Sequence, residues 1–108
     1  MKRGWIVRVN LVDATPPEFS KTRPAVILSN DEANAVLPTV MVVPLTTRPP
    51  AIWPLRLEVP EVPGLRRSYA VLPGLRQVSK GRIENTLGRM PEDFMRELQE
   101  ACFACLSE

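Results

Sequence analysis

Apolar and polar positions alternate with a period of two at the start of the chain, the pattern of a half-buried strand. From Gly4 to Leu11, Trp5, Val7, Val9 and Leu11 fall on one side and Ile6, Arg8 and Asn10 on the other. Behind Pro24, the run Ala25-Val26-Ile27-Leu28, ended by Ser29-Asn30-Asp31, predicts a buried strand. β-Branched and apolar residues over Thr39–Leu45 predict another, with one or two helical turns over Asp31–Leu37 between them. Leu55, Leu57 and Val59 alternate with Arg56 and Glu58, which gives a strand with one wet face. Ser68–Leu72 and Leu75–Val78 read as short strands broken by Pro73-Gly74, and Ile83–Arg89 as a further strand.

The last segment changes period. Phe94, Leu98, Ala101, Cys102 and Cys105 recur at helical spacing on one face. Pro91 suits a first helical position, and Glu92 and Asp93 suit the positive end of the helix dipole. Two stretches have no period, Val12–Thr22 with Pro16-Pro17 and Thr46–Pro54, and both read as long loops of the kind that often carry function. The pattern therefore predicts one domain over residues 1–108, mainly β, with five to seven short strands and a C-terminal α-helix. A small barrel capped by that helix is the simplest arrangement.

Composition narrows the chemistry. Twelve prolines in 108 residues are roughly twice the usual share and argue against a helical bundle. At 44% hydrophobic and 24% charged the chain is globular. No apolar run approaches a membrane span or the core of a signal peptide, so the expected location is cytoplasmic. There is no histidine, which removes the commonest general base and metal ligand. Cys102 and Cys105 alone cannot close a zinc site, and they are expected to be two small buried hydrophobes. Trp5 and Trp53 are expected in the core or at an interface between copies. The net charge of +2 hides an asymmetry: residues 1–90 carry 13 basic and 7 acidic groups, and residues 91–108 carry one and five. A basic body of this kind suits a polyanionic partner.

The candidate chemistry lies where loops meet buried strands. Lys21-Thr22-Arg23 ends the first loop, and Thr46-Thr47-Arg48 opens the second. If their strands are neighbours, Arg23 and Thr46 come close, although sequence leaves the register open. A guanidinium beside a hydroxyl can cradle a phosphate; the alternative is a solvated cation and a turn residue. Phe19, beside this loop end, is either a stacking platform for an unpaired base or a loop anchor.

Five pieces in order carry a resemblance: Arg3-Gly4-Trp5-Ile6, Glu18, Arg23-Pro24-Ala25, Pro44-Leu45-Thr46, and Leu75-Arg76-Gln77-Val78-Ser79-Lys80-Gly81-Arg82-Ile83. Together they resemble the MazF/PemK toxins of bacterial toxin–antitoxin pairs over nearly the whole chain. The resemblance implies an SH3-like (CcdB-like) barrel and a homodimer. It also implies a sequence-specific endoribonuclease that needs no metal or other cofactor. The implied partners are single-stranded RNA and an antitoxin with an acidic, disordered tail. It places catalytic roles on Arg23 and Thr46, with Glu18 as a loop carboxylate. Lys21, Phe19, Thr47, Arg48, Arg76, Lys80 and Arg82 are the candidates for RNA contact.

Such chemistry needs no histidine, because RNA supplies its own nucleophile. The 2′-hydroxyl attacks phosphorus and leaves a 2′,3′-cyclic phosphate and a 5′-hydroxyl, while the protein aligns the groups and stabilises charge. The chain departs from the family pattern at Pro16-Pro17, at Pro73-Gly74 and at Ser79, positions that bear on base preference and activity. Two other readings stay open: a non-catalytic CcdB-like toxin that binds gyrase, and a degenerate member that binds RNA or antitoxin without cutting.

Overall fold

The computed structural model describes residues 1–11 and 21–107. The expectations for Glu18 and Phe19 lie outside these residues. The described chain forms seven strands and two α-helices: β1 (Trp5–Asn10), β2 (Thr22–Ile27), α1 (Asp31–Val36), β3 (Thr39–Thr46), β4 (Arg56–Glu58), β5 (Tyr69–Val71), β6 (Arg76–Ser79), β7 (Ile83–Arg89) and α2 (Glu92–Leu106). Short 3-10 turns at Leu72–Gly74 and Lys80–Arg82 join the elements around β6.

All pairings are antiparallel, in the order β4-β5-β3-β2-β1-β7. The free edge of β3 is shared. Its first half, Thr39–Val42, pairs with β6, and its end, Leu45–Thr46, pairs with β5. Because β6 runs into β7 through a three-residue turn, the two margins of the sheet are tied by the chain, and the sheet curls into a small barrel.

The curled sheet is buried on both faces. Val7, Val9, Leu11, Ala25, Ile27, Val40, Val42 and Val78 fill the inside of the curl. Ile6, Val26, Val43 and Leu45 face outward, onto Phe94, Met95, Leu98 and Ala101 of α2. This corrects the reading of β1, whose Ile6 was expected on a wet side and is fully buried. Period two identifies the two sides of a strand but does not say that a helix will cover the second one.

The Arg3-Gly4 pair closes this second layer. Gly4 has φ of +88°, which an L side chain resists. It donates to Ile27 O at 2.8 Å and accepts from Met90 N at 2.8 Å, joining the end of β2 to the approach to α2. The Arg3 guanidinium donates to the carbonyls of Leu28 and Met95 and to Gln99 Oε1, while its backbone N–H reaches Asp31 Oδ1 at 2.7 Å. The opening motif is thus a staple between sheet and helix.

Other differences are local. Strand β2 starts at Thr22 and runs through Pro24, earlier than the apolar run alone suggested. Pro91 precedes the helix as its N-cap residue, with an extended ψ of 150°. Helix α1 is capped by Asn30, whose side chain accepts from Ala33 N at 2.8 Å. Cys102 and Cys105 are half-buried, not fully buried, because they sit on the flank of the helix face. Trp5 packs on the inner cluster with the Arg89 guanidinium 5.9 Å from its ring centre. Trp53 is 56% exposed and belongs to neither core cluster.

Replacing Arg3 with methionine keeps the stem and removes the side-chain donors. Arg3→Met is expected to lower unfolding stability by about 1.5–3 kcal/mol, the usual worth of hydrogen bonds from a charged group, as read by urea titration.

Candidate active site

Strand β2 carries Arg23 into the barrel wall between two neighbours. On one side it stands opposite Val9 of β1. On the other, the pairing of Ala25 with Pro44, continued two residues outward, sets Arg23 opposite Thr46. Arg23 Nη1 donates to Leu45 O at 3.5 Å, which draws the guanidinium to the end of β3. Val9, Ala25, Ile27 and Val42 all enter the inner cluster, so strict alternation puts Arg23 and Thr46 on that same face, at one mouth of the barrel.

Thr46 is the last residue of β3, held between β2 and Tyr69 of β5. Its Oγ1 accepts the backbone N–H of Arg48 at 3.3 Å. That bond occupies a lone pair and leaves the hydroxyl proton available to an outside acceptor. Burial, and then the neighbouring charge of Arg48, lower the pKa of Arg23 from the usual arginine value. An arginine so shifted still keeps its proton near neutrality. The shift means that the charged form is disfavoured where it stands, and an anion between the two guanidinium groups would relieve that.

The remaining sequence-derived candidates fall into two groups. Thr47 and Arg48 are exposed directly after β3, and Lys21 is exposed two residues before Arg23. Arg82 Nη1 donates to Asn10 O at 3.3 Å, and Asn10 pairs with Thr22, so Arg82 joins the same corner through β1. Arg76 pairs with Val42, four residues back along β3 from Thr46, about 13 Å at strand rise. Lys80 stands apart from the corner. It lies beyond the opposite end of β3, where Thr39 pairs with Ser79, and its ammonium donates to Asn34 O. Sequence order could not separate these residues, because which half of β3 receives β6 is decided by the fold.

Two residues at the site were missed from sequence. Tyr69 is buried directly opposite Thr46. Arg56 Nη1 donates to Arg48 O at 3.1 Å and Pro49 O at 3.3 Å. The alternation of Leu55, Leu57 and Val59 marked Arg56 only as a wet-face residue, and no local signal shows that it reaches back across the loop.

Fold and site together define a small β-barrel whose mouth gathers a half-buried arginine, a threonine hydroxyl and flanking cations. The chain belongs to the PemK-like, MazF-like toxins of type II toxin–antitoxin systems, a family matched over residues 2–104. It is 31% identical over 108 residues to endoribonuclease MazF9 of Mycobacterium tuberculosis (strain ATCC 25618 / H37Rv), covering 94% of this chain and 92% of that one. The crystal structure of MazF from Deinococcus radiodurans shares the fold with a TM-score of 0.86 at 22% identity, over 98% of this chain and 96% of that chain. A mycobacterial endoribonuclease solved in complex with its cognate antitoxin gives a TM-score of 0.82 at 23% identity, over 98% and 94%.

An anion that relieves the Arg23–Arg48 repulsion stabilises the folded state by mass action. Inorganic phosphate is therefore expected to raise the melting temperature by a few degrees, followed by differential scanning fluorimetry. Arg23→Met should remove most of that rise; an equal rise in both proteins would place anion binding elsewhere.

Proposed function

We propose that this chain is a toxin endoribonuclease that cleaves single-stranded RNA at a short sequence, without a metal, and that the Arg23–Thr46 corner is its reaction centre. The observation that carries this reading is the β2–β3 register, which sets a half-buried guanidinium opposite a threonine hydroxyl on one face. Family membership over residues 2–104 and the likeness to endoribonuclease MazF9 support the activity.

The 2′-hydroxyl of one nucleotide attacks the adjacent phosphorus, the bond to the 5′-oxygen breaks, and a 2′,3′-cyclic phosphate and a 5′-hydroxyl result. Arg23 stabilises the negative charge that builds on the non-bridging oxygens, Thr46 donates a hydrogen bond from its hydroxyl to one of them, and the departing 5′-oxygen takes its proton from solvent water. Glu18 is the candidate acceptor for the 2′-hydroxyl proton. Lys21, Thr47, Arg48 and Arg82 hold flanking phosphates, and Phe19 stacks on an unpaired base. Arg76 contributes further along the groove, and Lys80, engaged with Asn34, contributes least.

The antitoxin belongs to the same reading. The mycobacterial relative is solved with its cognate antitoxin, and an acidic tail laid over the cationic mouth would compete with RNA for Arg23 and Arg48. A homodimer in the cytoplasm completes the proposal. Trp53, Leu55 and Phe103, all strongly exposed, are apolar groups that a second copy would cover, and among the described residues no helix is long and apolar enough to cross a membrane.

Cleavage of a long unstructured RNA in excess EDTA tests the reading. We expect cuts at a recurring motif with 5′-hydroxyl ends, and a loss of about 10²–10³-fold in kcat for Arg23→Ala and for Thr46→Ala, the range seen when a transition-state donor is removed. Intact RNA at micromolar protein would favour a binding toxin of the gyrase-poison kind or a non-cutting member. Cleavage that survives Arg23→Ala would retain the family and refute the mechanism.

A further inference from the structure

The loop that follows Thr46 needs something to hold it, and the structure assigns that task to Arg56. The backbone of Arg56 is fixed from two directions. It exchanges hydrogen bonds with Ile52, N to O at 2.8 Å and 2.7 Å, closing the tip of the loop, and it pairs with Val71 of β5. From this anchored position its guanidinium turns back toward the start of the same loop and donates through Nη1 to the carbonyls of Arg48 and Pro49. Arg48 is consequently held at both ends: its carbonyl lies on Arg56, and its N–H lies on Thr46 Oγ1.

We propose that Arg56 is a positioning residue for the reaction, clamping the Arg48 carbonyl so that the Arg48 N–H stays on Thr46 Oγ1 and the threonine proton points outward to the scissile phosphate. The inference rests on the ribonuclease reading above and adds to it a residue that touches neither RNA nor the reacting atoms. A hydroxyl free to rotate divides its time between acceptors. One that already accepts a fixed backbone donor has fewer directions left for its own proton, and such preorganisation is what a transition-state donor needs. The same clamp also fixes where the Arg48 side chain leaves the loop, and so keeps its charge beside Arg23, where the lowered pKa registers it.

The test uses Arg56→Met, which keeps the stem and removes every donor, and Arg56→Lys, which keeps the charge and one compact donor. Both are measured in the full chain, with thermal melts to show folding. Exchange of the Arg48 amide hydrogen in the RNA-free protein reports the clamp independently of any reaction. It should speed up in Arg56→Met and recover in part in Arg56→Lys. With RNA, Arg56→Met should lose about 10- to 100-fold in kcat, the scale of a slight misplacement at a reacting group, with little change in KM. The slope of RNA affinity against salt should stay as in the parent, since no phosphate contact is lost. On a Thr46→Ala background the same substitution should cost almost nothing further, because the group it positions is gone.

Equal losses in kcat on both backgrounds, a reduced salt slope, or an unchanged Arg48 amide would overturn the proposal and make Arg56 a phosphate contact or a stability residue. If Arg56→Met does not fold, the amide exchange and the Thr46→Ala cycle with Arg56→Lys decide the matter by the same criteria. A parent protein that shows no cleavage would instead remove the ribonuclease reading, and the amide exchange alone would then report whether the clamp exists.

Discussion

The site depends on one constraint, the register of β2 against β3. Ala25 stands opposite Pro44, Val26 opposite Val43 and Ile27 opposite Val42. A slip by one residue would turn every side chain of one strand to the other face. Such a slip is prohibitive here because both faces are buried: Val26 and Val43 pack outward toward α2, while Ala25, Ile27 and Val42 pack inside the curl. The core thus places Arg23 and Thr46, two residues past the last closed pair, on one face of the sheet. Pro24 and Pro44 remove two backbone donors from this stretch of ladder, so the packing of apolar side chains carries more of the alignment than hydrogen bonding does.

The same two-faced burial separates charge in space. Basic and acidic residues are divided along the chain, with the acidic excess in its last 18 positions. Folding lays Glu92–Leu106 of that stretch, as α2, on the outer face of the sheet, against the cluster that contains Ile6 and Val43. Arg23 and Thr46 lie on the inner face. A difference along the chain becomes a difference across the molecule, with the cations at the barrel mouth kept away from the carboxylates of α2. The only ion pair among the described residues, Arg67 with Glu58 at 2.9 Å, is exposed and lies on β4 and the turn before β5. Arg23, by contrast, stands near the like charge of Arg48, which helps to lower its pKa.

Local pattern made the strands legible because alternation is a property of a few adjacent residues. Ile83–Arg89 and Thr39–Thr46 emerged almost at their observed limits, and the i, i+4, i+7 stripe from Phe94 announced α2. The errors share one cause. Ile6 was grouped with the polar side of its strand and the cysteines were expected to be buried, whereas Ile6 is fully buried and the cysteines are half-buried, and in each case the deciding neighbour comes from a distant part of the chain. Arg3-Gly4 could be recognised as a motif, yet its role as a staple depends on Leu28, Met95 and Gln99 converging on one guanidinium.

The amino-acid sequence by itself determined the β-rich architecture, the terminal helix, and the chemical inventory of arginine, lysine and threonine in a chain without histidine. Those follow from side-chain periodicity and composition, which need no knowledge of contacts. Tertiary structure decided which members of the inventory meet. Thr46 and Lys80 flank opposite ends of one strand, whereas Arg82 approaches Arg23 from across β1 and Arg56 folds back on Arg48. Those juxtapositions arise from strand order and register, and register is set by burial on two faces at once, a condition that only the closed barrel imposes.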